Sequence, residues 1–302
     1  IDNYKYNTFY KYSQPDATYQ FGDDYVRTLR PKGVDPDLKW EETISTNFGV
    51  DMGLFEGGLN MSLDYYIKDV NDLLYDVAVP AGSNLSDRVL TNIGRVQNRG
   101  LEFTADTWVM DTENFRWDLS YNLSTNQNEV KQLDNSKFDP TFGGYPRGGI
   151  TGDVGQTISV LKVGEEIDAF KVYEQKYDET GFPIYSTTKT EMYVDQNGDD
   201  IINESDLVVK DGPSPSLLMG LTSNMAYKGF NLSFTVRANM GNYVYNNVAS
   251  STGYFERLTD RTTNNIHESA YQTGFKTRQL HSDYYIEDAS FVKLDNVTLS
   301  YT

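Results

Sequence analysis

The sequence predicts an all-β fold, an antiparallel transmembrane β-barrel segment with long extracellular loops, and three observations lead there. Strand-length stretches alternate strictly between apolar and polar residues. Some neighbouring stretches are joined by very short polar turns, and the remaining connections are long. Side chains on a strand point alternately to opposite faces, so each stretch carries one oily and one wet face. An aqueous lumen inside and lipid outside demand that arrangement.

The elements follow in order. Strands are expected over 43–54 and 58–69, where Leu59, Met61, Leu63, Tyr65 and Ile67 alternate with Asn60, Ser62, Asp64, Tyr66 and Lys68. The next fall at 95–109 and 114–126, the latter alternating Phe115, Trp117, Leu119, Tyr121 and Leu123 with Arg116, Asp118, Ser120, Asn122 and Ser124. A single strand is expected over 157–174, then 216–227, 229–243 and 288–302. The clearest is Phe230, Leu232, Phe234, Val236, Ala238 and Met240 against Asn231, Ser233, Thr235, Arg237 and Asn239. Short turns lie at Glu56-Gly57-Gly58, Asp111-Thr112-Glu113-Asn114 and Tyr227-Lys228-Gly229. The long connections cover 70–92, 127–155, 175–214 and 244–286. Structureless loops beyond about 15 residues are foreign to compact domains but normal on one side of an outer-membrane barrel.

Composition narrows the function. The chain has 302 residues and a net charge of -18, which argues against nucleic acid as a partner. Mean hydropathy is -0.57, and no run reaches the ~18 apolar residues of a spanning helix. Barrels escape that test, because every second strand residue is polar. There is no cysteine, hence no disulfide or thiolate metal site; the 23 tyrosines and 15 phenylalanines suit strands and membrane-interface girdles. The absence of an initiating Met, and a C-terminus inside or just after an alternating run, suggest a segment of a longer protein. Two alternatives keep the same alternation: a soluble calcium-dependent carbohydrate-binding β-sandwich, and a small self-contained outer-membrane barrel acting as adhesin or anchor.

Several runs resemble the barrel of SusC/RagA-type TonB-dependent transporters. They are Asp35-Pro36-Asp37-Leu38-Lys39-Trp40-Glu41, Leu63-Asp64-Tyr65-Tyr66 with Asp72-Leu73-Leu74, and Asn92-Ile93-Gly94-Arg95-Val96-Gln97-Asn98-Arg99-Gly100-Leu101-Glu102. Asp195-Gln196-Asn197-Gly198-Asp199, Tyr227-Lys228-Gly229-Phe230 and Tyr285-Ile286-Glu287-Asp288-Ala289-Ser290-Phe291-Val292-Lys293-Leu294 continue the match in family order. The resemblance implies a bacterial outer membrane location and a 22-stranded barrel closed by an N-terminal plug. It further implies energy from the TonB complex and import of glycans or peptides with a SusD-like surface lipoprotein, in a dimer of transporter–lipoprotein pairs. Residues 1–302 would be part of that one barrel domain, without plug or closing strands, so an open sheet must pair with the rest of the same protein. Asn60, Asp64, Arg116, Asp118, Asn231 and Arg237 would face the lumen.

Two candidate sites lie in the loops. Asp195, Asn197, Asp199, the Ile201 carbonyl and Asp206 follow the spacing of an EF-hand-type loop, which points to a structural Ca²⁺ in the extracellular loop 175–214. Asp200 stands where that loop favours Gly, and Asp206 where a Glu is usual. Flat aromatic faces suited to sugars or peptides are offered by Tyr245, Tyr254, Phe255 and Tyr271 within the aromatic-rich 244–286 connection. For catalysis the inventory is poor. His267 and His281 fall in a loop, and there is no Cys, phosphate cradle or nucleophile elbow, so no enzyme is expected.

Overall fold

A computed structural model describes residues 12–31, 33–79, 88–133, 143–259 and 265–302. In chain order its strands are β1 (Tyr12–Phe21), β2 (Asp24–Pro31), β3 (Glu42–Leu54), β4 (Leu59–Asn71), β5 (Leu74–Ala78), β6 (Arg88–Asn92), β7 (Gly94–Asp111), β8 (Phe115–Thr125) and β9 (Gln127–Leu133). Then come β10 (Tyr145–Gly149), β11 (Thr157–Leu161), β12 (Ala169–Tyr173), β13 (Leu207–Lys210), β14 (Leu217–Tyr227), β15 (Phe230–Met240), β16 (Tyr243–Tyr245), β17 (Ile286–Asp288) and β18 (Phe291–Tyr301). No helix among the described residues is long and apolar enough to cross a membrane.

One antiparallel sheet forms a wall in the order β18-β15-β14-β8-β7-β4-β3. Its register keeps like faces together: Leu63 pairs Phe103, Phe103 pairs Leu123, Leu123 pairs Met219, and Met219 pairs Ala238. The expected turns sit together at one end. Between β14 and β15 the turn is only Lys228 (φ 46°) and Gly229 (φ 87°), two positive φ values whose twist matches that of the flanking strands.

Two bulges preserve the facing where the sequence parity breaks. Val109 is the extra residue between Trp108 and Met110 of β7, which returns Met110 to the apolar face opposite Trp117. Asp295 plays the same part in β18: Leu294 pairs Val236, while Asn296 pairs Thr235. Without that bulge Val297, Leu299 and Tyr301 would point to the wet side.

Among the described residues no second sheet covers the apolar face in the way a sandwich requires, and most of its large side chains remain partly or fully exposed. At the turn end it carries a row of rings, Phe115, Tyr227, Phe230 and Tyr301, with Phe115 and Tyr227 centroids 6.5 Å apart and Phe230 and Tyr301 4.7 Å apart. Trp117 resolves the problem of an indole N–H on this face by donating to Ser223 Oγ at 2.9 Å. The first and last wall strands, β3 and β18, each pair on one side only and do not pair with each other, as a small self-contained barrel would need.

The long connections, expected to be structureless, fold instead into a second unit at the opposite end of the wall. The 70–92 connection carries the β5–β6 hairpin, 127–155 carries β9 and β10, and 244–286 carries most of β16 and short helices Asn247–Thr252 and Ser269–Thr273. The strand expected over 157–174 divides into β11 and β12. Between them Gly164 (φ 85°) and Asp168 (φ 62°) reverse the chain, and β10-β11-β12-β13 make a four-stranded sheet. Likewise 229–243 ends as a wall strand at Met240, because Gly241 (φ 73°) redirects it.

Nearly all buried apolar side chains belong to this loop unit. Val77, Ile93, Val96, Val130, Tyr145 and Leu161 pack the first and second excursions together. Ile158, Phe170 and Val172 meet Tyr245 and Ile286, and Ala249, Tyr254, Phe275 and Tyr285 close the far side. Strand β7 belongs to both units, since its N-terminal part pairs β9 and its C-terminal part pairs β8.

Candidate functional site

The polar face of the wall holds the six residues expected there. Asp64 stands opposite Glu102 and Asn60 opposite Asp106; Ser62 Oγ donates to Asp64 Oδ2 at 2.7 Å. Arg116 and Asp118 are 2.9 Å apart. Arg237 faces Lys293 across the β15–β18 pair, and the bulged Asp295 answers both, at 3.4 and 3.6 Å. Asn231 lies at the turn end, opposite Ala226 and Ser300. Close approach leaves little room on this face: a Cβ at Gly49 would stand 2.3 Å from Asp64 Oδ1.

Where wall and loop unit meet there is a cavity of about 820 Å³, lined by Tyr65, Arg99, Asn128, Glu166, Asp211 and Tyr243 among others. Its rim is built by Asn128. That side chain donates to Glu166 Oε1 and Ser214 Oγ, both at 3.2 Å, and accepts from Ile167 N at 2.7 Å. Tyr66 Oη, donating to Asn126 Oδ1 at 2.9 Å, ties β4 to the junction of β8 and β9 beside it. A carboxylate-rich mouth of this kind suits hydrogen-bonding ligands of modest size.

The EF-hand-like loop is closed by its own hydrogen bonds. Asp195 accepts from Gly198 N through Oδ1 and from Asp200 N through Oδ2, each at 2.7 Å, and these backbone bonds hold its carboxyl below the usual range against partial desolvation. Asp200 adopts φ 61°, the conformation that position was expected to require. Asp199 accepts from Ile201 N at 2.8 Å and Asn197 from Asp199 N at 3.0 Å. Asp206 is fully buried and accepts from Gln196 N and Asn203 N at 2.9 and 2.8 Å. Among the described residues no group of three or more His, Cys, Asp or Glu converges on one point. A cation taken here would bind carboxylates that already hold the turn.

The aromatic candidates separate by burial. Tyr254 is buried beside Phe275, and Tyr245 donates through Oη to Leu280 O inside the unit, where burial pushes its phenol well up. Phe255 and Tyr271 lie at the surface as a T-shaped pair with centroids 5.6 Å apart, Tyr271 being 73% exposed. One edge of Tyr245 also lines a cavity of about 420 Å³ with Phe170, Tyr243 and Asn242, and Asn242 Oδ1 is buried there without a hydrogen-bond partner among the described residues.

A polar knot that the sequence does not announce joins the second and third excursions. Gln175 Nε2 donates to Ile184 O at 2.8 Å and to Lys176 O and Met192 O at 3.2 Å, and its Oε1 accepts from the buried Ser282 at 2.9 Å. Asp283 accepts from Gln175 N at 2.8 Å and from Lys210 Nζ at 2.7 Å. Ser282 and Asp283 lie more than a hundred residues from Gln175, so no local pattern could have found that pairing.

Comparison with known proteins follows the same geometry. A family model described as TonB dependent receptor-like, beta-barrel matches residues 3–159. The whole chain is 37% identical over 312 residues to the TonB-dependent receptor SusC of Bacteroides thetaiotaomicron, covering 30% of that protein. TonB-dependent receptor P26 of Formosa agariphila is 31% identical over 282 residues, covering 88% of this chain and 28% of its own length. Among solved structures, the RagAB peptide importer in its open-open state superposes with a TM-score of 0.71 at 20% identity, covering 100% of this chain and 32% of that one. The chain spans about a third of the length of the proteins it matches.

Proposed function

This chain belongs to the TonB-dependent receptor-like β-barrel family, and on that premise we propose that it supplies wall and surface loops to an importer of glycans or peptides. The family's place is the bacterial outer membrane. One observation carries the reading: a wall with an exposed apolar face and a ring-lined turn end stands beneath a loop unit that has its own buried core. Lipid completes the first, and solvent or a partner meets the second.

In this reading substrate is captured between the loop unit and a SusD-like surface lipoprotein, then passes the polar face of the wall when the TonB complex draws the plug aside. Plug and TonB contact belong to parts of the protein beyond this chain. The unpaired edges of β3 and β18 support pairing with further strands of the same barrel. Peptide as cargo is supported by the likeness to the RagAB peptide importer; glycan rests on the family resemblance. A Ca²⁺ held by Asp195, Asn197, Asp199, Ile201 O and Asp206 belongs to the same proposal, supported by the EF-hand spacing and the positive φ at Asp200.

The test is extraction of the native protein from outer membranes in mild detergent, with mass spectrometry of what co-purifies. The expected result is a membrane-bound species roughly three times the length of this chain, carrying a lipoprotein. A species that leaves the membrane without detergent, or a strain lacking it that grows unimpaired on every glycan and peptide source, would overturn the reading. Calorimetric titration of that complex with Ca²⁺ tests the loop, with heat expected from the native protein and none from Asp195→Ala.

A further inference from the structure

On the loop unit, beside the end of β12, lies a recess of about 300 Å³ lined by Asp153, Gln156, Tyr173, Lys189, Arg278 and His281 among others. The chain carries 44 acidic residues against 26 Lys and Arg, yet this concavity has two cations and one acid, Asp153. Two other cations of the unit are paired, Arg147 with Asp168 at 2.9 Å and Lys210 with Asp283 at 2.7 Å. Lys189 and Arg278 have no carboxylate at ion-pair distance among the described residues.

Both are nevertheless held in place. Lys189 Nζ stands 5.0 Å from the centroid of the Tyr173 ring, and Arg278 Cζ 5.3 Å from that of Tyr254. Arg278 Nη2 also donates to Tyr254 Oη at 2.9 Å. Those rings are anchored in turn, because Tyr173 packs on Tyr193 in one core and Tyr254 on Phe275 in another. A cation over an aromatic face keeps its charge and its remaining donors while losing side-chain freedom. Of the other polar groups only Asp153 carries a charge. His281 donates from Nε2 to Thr157 O at 3.2 Å, and burial, with Lys189 beside it, lowers its pKa. Asp153 sits exposed on the rim, accepting from Val154 N at 2.8 Å.

We propose that this recess recognises a carboxylate on the ligand, so that the importer proposed above, on which this inference rests, selects acidic cargo. The guanidinium offers a planar fork and the ammonium a point charge, a combination that fits a carboxylate oxygen pair. The volume accommodates one sugar unit or one acidic side chain at a time.

The experiment uses the full-length protein with its lipoprotein in detergent, and calorimetry with two matched pairs of probes. One pair is triglutamate and triglutamine, and the other is trigalacturonate and its methyl ester. One acidic probe is expected to bind about ten-fold tighter than its neutral partner, as two desolvated charge contacts allow. Which pair shows the preference identifies peptide or glycan as the source of the carboxylate. The K189Q/R278Q variant is expected to lose the preference, binding the acidic and neutral members of that pair alike. Should that variant misfold, salt decides: raising NaCl weakens only the acidic probe of the native protein if the inference holds. No difference between acidic and neutral probes, or a preference that survives both substitutions or high salt, overturns it. Failure of uptake in cells would overturn the importer reading and leave these affinities standing, whereas normal uptake indifferent to ligand charge would overturn the recess alone.

Discussion

Leu161 and Leu299 are both strand leucines, yet one has no solvent-accessible surface and the other is 69% exposed. The same contrast separates Phe275 in the loop unit from Phe48 on the wall, at 0% and 69%. Both units spend apolar residues in period-appropriate patterns, but they satisfy them against different media. The loop unit packs side chain on side chain around several small cores. The wall is held laterally by its backbone ladder and leaves its oily face for hydrocarbon. A truncation in the loop unit therefore loses transfer energy and opens a cavity, whereas one on the wall loses transfer energy only, because lipid fills the gap.

The sharpest way to break that comparison is a matched pair. Phe275→Ala is expected to destabilise the loop unit by about 3–5 kcal/mol, and Phe48→Ala to cost the wall roughly 2 kcal/mol. Hydrogen exchange of the full-length protein in lipid, read separately over the loops and the wall peptides, checks both. Equal costs at the two sites would erase the distinction between packing and solvation.

Charge sharpens it in the opposite direction. Val236 lies midway along β15 on the apolar face, opposite Leu221 and Leu294, and Val236→Lys is expected to cost about 2–4 kcal/mol at the bilayer midplane. Val248 is 66% exposed on the loop unit, and Val248→Lys is expected to stay within about 0.5 kcal/mol. Urea titrations of folding into vesicles give both numbers. A tolerated Lys at Val236 would mean that this face does not meet lipid.

The polar knot comes next. Gln175→Leu keeps the volume but removes the side-chain donor to Ile184 O and the acceptor for the Ser282 hydroxyl proton, at about 1–3 kcal/mol. Limited proteolysis should then cut near residues 184–192 while the wall stays intact. Unchanged protection would show that packing of the neighbouring rings alone holds the excursions together.

These two regions were unequally legible in the sequence. The wall strands follow from period-two alternation because each interacts with lipid and lumen independently of the others, so Phe230–Met240 or Leu59–Asn71 can be read alone. The bulges at Val109 and Asp295 show up only as breaks in parity, which become meaningful once a partner strand fixes the register. The loop unit resists such reading. Tyr254 and Tyr271 stand in similar local company, but one contacts Phe275 in a core and the other faces solvent. Lys189 and Arg278 meet only because β12 and the stretch before β17 are neighbours in space. The turn at Asp195–Asp200 was readable because its bonds are local, Asx-type contacts within five residues.

The smallest expected effect bears on how the loop unit responds to acid, which the wall, without a histidine, should not share. Burial of His281, reinforced by Lys189, lowers its pKa below the ordinary 6.5, although the hydrogen bond to Thr157 O opposes the shift. The unfolded loop therefore binds the proton more readily than the folded one below pH 6.5. Stability from this residue is complete above that value and is lost as pH falls from it toward the folded pKa, since protonation then favours opening. His281→Gln can keep a donor for Thr157 O without a titrating ring. Exchange rates of the loop peptides, compared between pH 5 and pH 7.5, should rise with acid in the native protein by more than in the variant, while wall peptides respond equally in both. An identical acid response in the two proteins would place the sensitivity on the carboxylates that cap the loops, Asp195 and Asp178 foremost, whose pKa values are held down by backbone and side-chain donors and which lose that stabilisation only in stronger acid.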